Sequence, residues 1–163
     1  MRISHPLATL ATSFLFALHS PVHQLEVSQG LSRDELASIH RLRCVFSVSA
    51  IGSWEGGQPQ GRVKTEGVLS LQIDTIEAQD GSARLSGAGA SDSHVVARLS
   101  DRSLHFLETD VTGSLSVTTV FAQRSRQGRL KAVHSRTSFL PVDLPGFSAE
   151  PSVSQFYGEC ELR

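Results

Sequence analysis

No asparagine occurs anywhere in the 163-residue chain, and lysine occurs only at positions 64 and 131. The other 13 basic residues are arginines. Asn and Lys have AT-rich codons while most Arg codons are GC-rich, so the composition points to a GC-rich, bacterial genome. Without Asn there is no N-glycosylation sequon. Excess charge is lacking too. A net charge of −1 and a pI near 6.6 give no electrostatic basis for nucleic acid or an anionic membrane surface as partner. No apolar run is long enough for a relaxed transmembrane helix. Aromatics make up only 6% of the chain, which forms no girdles and ends in Arg163, so a lipid-embedded barrel is not expected.

Cysteine is scarce but well placed. Cys44 and Cys160 are the only two, 116 positions apart, and they bracket almost every strand-like segment. The N-terminus carries Arg2 followed by the apolar run 7–18 (LATLATSFLFAL), which has the length of a signal-peptide core. We expect residues 1–24 to be a secretory leader, cleaved between Ala17 and Leu25, and residues 25–163 to be a single domain in the periplasm or outside the cell. In that oxidising compartment an even cysteine count is normally spent on a disulfide.

Ser32 and Glu35 have capping-box spacing, Asp34 adds charge to a first turn, and Leu36, Ile39 and Leu42 form an apolar stripe. This predicts one short N-terminal helix, from Ser32 to Leu42. From Cys44 onward the pattern changes to alternation broken by turns. Eight strands are expected, at 44–52, 65–76, 83–88, 94–99, 103–109, 115–122, 129–139 and 154–162, with 140–152 as a long Pro-containing loop. Connections this short favour antiparallel neighbours. One apolar face collects Phe46, Val48, Ala50, Leu69, Leu71, Ile73, Val95, Ala97, Leu99, Leu104, Phe106, Leu115, Val117, Phe121, Phe156 and Leu162. Cys44 and Cys160 share that parity on the first and last strands. The fold class expected is therefore all-β: an eight-stranded antiparallel up-and-down barrel, closed by a Cys44–Cys160 bridge.

Gly52-Ser53-Trp54, Thr109-Asp110 and Arg136 resemble three motifs of the lipocalin family, although Val111 stands where that family has Tyr. The G-x-W also follows the first apolar run where lipocalins place it at the start. The resemblance implies a lipocalin-like barrel in which Trp54 plugs one end and Arg136 stacks across it. A lone rim aromatic is the plain alternative for Trp54.

Three polar residues fall on the apolar parity: Glu108, His134 and Arg136. Hairpin pairing gathers them at one end of the barrel, about 10 Å apart across two strands. Buried charges need partners, so a self-satisfied Glu–Arg–His network is one reading. A ligand site in which Arg136 holds a carboxylate or phosphate is another. Acid–base chemistry by His134 and Glu108 is the third. Ser135 points away from its neighbour His134, so no Ser–His nucleophile pair exists. The histidines lack ligand spacing, and neither a metal nor another cofactor is implied.

The function expected is a non-enzymatic binding module for a small apolar or amphipathic ligand. Phe106, Phe121 and Leu115 would supply apolar wall, and Glu108, His134 and Arg136 would fix a polar group. A cyclase- or isomerase-like enzyme with His134 as base and Glu108 as its partner stays open. So does a periplasmic interaction domain working through the 140–152 loop or the tip bearing Arg124, Arg126, Arg129 and Lys131.

Overall fold

The computed structural model describes residues 30–87, 90–111, 113–139 and 150–163. The expected leader and most of the 140–152 loop lie outside these residues. One helix, α1 (Arg33–Ala37), precedes nine strands: β1 (Leu42–Glu55), β2 (Gln58–Lys64), β3 (Leu69–Glu77), β4 (Ser82–Gly87), β5 (Ala90–Leu99), β6 (Ser103–Thr109), β7 (Leu115–Arg124), β8 (Leu130–Ser138) and β9 (Ser152–Leu162). Consecutive strands from β3 to β9 pair antiparallel, and β1 pairs with both β3 and β9. The eight strands β1 and β3–β9 thus form the closed antiparallel barrel expected. Closure leaves none of these strands with a free edge along the barrel wall.

β2 is additional. It folds back on the outer half of β1 through Gly56 and Gly57, which both have positive φ, as a two-residue hairpin turn of the primed kind requires. The strand expected at 65–76 accordingly begins only at Leu69. The sequence Gln58–Lys64 holds a Pro and a Gly and shows no apolar alternation, so its composition hides a strand that the Gly-Gly turn imposes.

The helix is shorter than expected. The capping box forms: Ser32 N donates to the Glu35 carboxylate at 2.7 Å, and Glu35 N to Ser32 Oγ at 3.3 Å. The helix stops at Ala37 because the following residues are taken over by the sheet. Ile76 N donates to His40 O at 3.1 Å, and Leu42 enters β1 as a buried barrel residue. Leu36 and Ile39 close the lower end of the barrel over Leu42, Ile73, Ile76, Leu104 and Leu130.

Two bulges redirect side chains. Thr75 has φ 51°, and the register slips between Asp74 and Glu77, so Ile73 and Ile76 both turn inward despite their odd spacing. In β1 the register against β9 shifts between Phe46 and Val48. Beyond that shift Ser49 lies opposite inward-facing Phe156, and Val48 lies opposite exposed Tyr157. Val48 and Ala50 therefore lie on the outer face, which corrects the expected parity. At this bulge a Cβ on Gly158 would overlap Val45 O and sit 2.6 Å from Phe46 Cα, so the strands approach closely enough to require glycine.

Cys44 and Cys160 are register partners on β1 and β9, with a Cα–Cα distance of 4.0 Å, and they form the disulfide. Both are fully buried. Among the described residues no helix is long and apolar enough to cross a membrane.

Candidate functional site

The barrel lining changes character from floor to mouth in successive cross-strand rows. The row Leu104–Val120–Ala132–Gly158–Phe46 is apolar. The next, Phe106–Thr118–His134–Phe156, is mixed. The row above it, Glu108–Ser116–Arg136–Ser154–Ile51, is polar on four of its five strands. Partners in such rows share one face, so the polar residues line the inside of the mouth half.

His134 marks the boundary. It is 8% exposed, its Nδ1 is 2.9 Å from Thr118 Oγ1, and the rings of Phe46 and Phe156 lie 6.1 and 5.9 Å from its own. Its Nε2 has no hydrogen-bond partner among the described residues. Burial between these rings pushes the imidazole pKa below its ordinary value. The Glu108 carboxylate opposes that shift, and the Arg136 guanidinium reinforces it. His134 is thus a neutral imidazole at neutral pH, one nitrogen engaged and the other available.

Glu108, His134 and Arg136 do share one end of the barrel interior, but they do not join hands. Glu108 accepts from Ser93 Oγ at 2.5 Å. Arg136 Nη2 donates to Asp110 Oδ2 at 3.2 Å, near the rim. His134 uses Thr118. The expected Glu–Arg–His network is replaced by three short local pairs, because inward hydroxyls on the neighbouring strands engage Glu108 and His134, while Arg136 takes the nearer carboxylate of Asp110. Asp110 was legible only as half of the Thr109-Asp110 motif. It closes the β6–β7 turn by accepting from Ser114 N at 3.0 Å, and so reaches Arg136.

Phe106 is buried at the row of His134 as expected. Leu115 and Phe121 are not part of an inner wall: they are 41% and 37% exposed on the outer face of β7. Both parities of that strand carry apolar residues, so alternation alone could not choose between them. The pairing of Leu104 with Val120 and of Glu108 with Ser116 turns Ser116, Thr118, Val120 and Ala122 inward. Phe46, Phe156, Thr118 and Ser93 belong to the site and were not singled out from sequence. Their parity pointed to Phe46 and Phe156, whereas Thr118 became visible only through the register.

Trp54 does not plug the barrel. It is 44% exposed on the outer face of the β1–β2 hairpin, at the mouth end and away from the helix that closes the floor. Of the three lipocalin-like motifs, Asp110 and Arg136 meet, and Trp54 stands apart from them. No group of three or more His, Cys, Asp or Glu able to hold a metal occurs among the described residues. The chain was compared with protein-family models, curated proteins and solved structures, and nothing matches.

Proposed function

We propose that this protein is an exported binding module that receives a small amphipathic ligand in the mouth half of its barrel, without acting on it chemically. Residues 1–24 are its leader and 25–163 its single domain. The observation that carries this reading is the switch in lining at His134. Below it the interior is filled with apolar side chains. Above it small hydroxyls and two charged groups replace most of them, beside Ile51, in a fold whose eight-stranded members can hold one small ligand. The apolar part of a ligand would meet Phe46, Phe106 and Phe156. Its polar part would meet the open Nε2 of His134, then Glu108 and Arg136. A buried imidazole kept neutral suits a hydrogen bond to a hydroxyl or amide better than a charge contact.

Acid–base catalysis gains no support from the geometry, since His134 and Glu108 bond to Thr118 and Ser93 and not to each other. The binding reading is tested by native mass spectrometry of the full chain, purified without denaturant. A bound species of constant mass should accompany the protein and be lost from the Arg136→Ala and Glu108→Gln proteins. No bound species in any preparation, together with a mouth half packed solid by its own side chains, would remove the reading.

A further inference from the structure

Three charged groups stand around the polar row of the mouth half, and they do not cancel. Arg136 and Asp110 neutralise one another near the rim, 3.2 Å apart. Glu108 is left over. It faces inward from β6, half-buried, and among the described residues its only hydrogen-bond donor is Ser93 Oγ. No Lys, Arg or His of the described chain lies within ion-pair distance of it. By contrast Glu55, Asp74, Asp92, Asp101 and Glu161 each have an arginine. A hydroxyl solvates a carboxylate without cancelling its charge, and an anion drawn out of water with no counter-ion is costly.

The uncancelled charge reaches into the barrel. At the His134 ring the Glu108 carboxylate favours protonation more strongly than the Arg136 guanidinium opposes it, so the pair leaves a negative field there. Burial keeps His134 itself uncharged, and it adds nothing positive to offset that field. An anionic head group would meet adverse terms on both sides. Arg136 is the cation of this row, and its guanidinium is already shared with Asp110. A carboxylate or phosphate would have to compete with Asp110, which also closes the β6–β7 turn by accepting from Ser114 N. It would then stand in the field of Glu108.

We infer that the ligand of the mouth half is an amphipathic amine, its ammonium seated against the Glu108 carboxylate and its hydrocarbon part directed toward Phe156 and His134. An ammonium carries three donors. One meets Glu108, and the others have the hydroxyls of Ser116 and Ser154 on the same row as acceptors. Arg136 keeps its bond to Asp110 and offers its remaining N–H groups to an uncharged oxygen of the same head. The inference rests on the reading of the mouth half as a ligand site, and it adds the sign of the ligand's charge.

Calorimetric titration of the full chain with decylammonium, decan-1-ol and decanoate, each below its critical micelle concentration, compares three heads on one tail. Decylammonium should bind about tenfold more tightly than the alcohol, through a charge-assisted contact, and decanoate more weakly than either. Glu108→Gln should bring the amine down to the affinity of the alcohol while the alcohol binds as before, which also shows that the variant is folded. Glu108→Asp should keep part of the preference. Equal binding of all three probes, a preference for decanoate, or an amine preference untouched by Glu108→Gln overturns the inference and leaves the mouth half as a ligand site. Binding of none of the three removes the reading of the mouth half itself, and the inference with it.

Discussion

Thr75 and His134 hold the two local tensions of the structure. Thr75 is a β-branched residue with a positive φ, a conformation that costs an L-residue about 1–2 kcal/mol. Thr75→Gly should therefore raise stability by about 1 kcal/mol, seen as a higher urea midpoint with an unchanged slope. A lower midpoint would mean that the hydroxyl contributes more than the strain removes. His134 carries a pH signature. Its folded pKa lies below its unfolded value of 6.5, so the unfolded chain takes up a proton first as the solution is acidified. Its contribution to stability is complete above about pH 6.5 and is lost as pH falls below that value, levelling once the folded imidazole also protonates. Thermal melts between neutrality and mild acid should show this fall, and His134→Phe should flatten it. These effects mark how far the residues could be read from sequence. The inward parity of Glu108, His134 and Arg136 was legible, because each sits in register with apolar neighbours on its own strand. Their partners were not, since Ser93, Thr118 and Asp110 are common surface residues whose role depends on cross-strand spacing.

Among the elements, α1 is short enough that its capping box and its docking must share the task of holding it. Glu35 has its pKa lowered, first by the Ser32 backbone N–H and then by the Ser32 hydroxyl. Its contribution is present above the ordinary value of 4.5 and is lost as pH drops through the folded value. Ser32→Ala should cost about 1 kcal/mol in chemical denaturation and reduce this acid dependence. An unchanged midpoint would show that Leu36 and the bond from Leu31 N to Ala122 O fix the helix without its cap. The barrel strands were readable because alternation and short Gly- or Asp-bearing turns survive in the sequence. β2 was not, since its order comes from a turn and from its neighbour. β7 shows a subtler limit: with Leu115, Val117 and Phe121 on one parity and Val120 and Ala122 on the other, a register error of one residue exchanges core for surface. The β1 bulge has the same effect on Val48 and Ala50.

For the whole molecule, the bond between Cys44 and Cys160 fastens the first strand to the last. Closing a separation of 116 residues should contribute about 4–5 kcal/mol on the chain-entropy account, as an upper figure. Replacing both cysteines by Ala should lower the denaturation midpoint accordingly, with the barrel still formed at low denaturant. Because both sulfurs are fully buried, reduction by dithiothreitol should also be slow in buffer and accelerate with added urea. Fast reduction in buffer alone would mean that the β1–β9 seam opens locally. This closure was the most legible global feature, since two thiols of matching parity on the terminal strands leave few other topologies.

The floor of the barrel has a further consequence. Gly30 packs against Ala122, and Arg163 N bonds to Arg41 O, so the described chain enters and leaves at the end that α1 seals. A bead, a tag or a fused domain joined through Arg163 would therefore sit beneath the sealed floor, on the far side of the barrel from the row of Glu108 and Arg136.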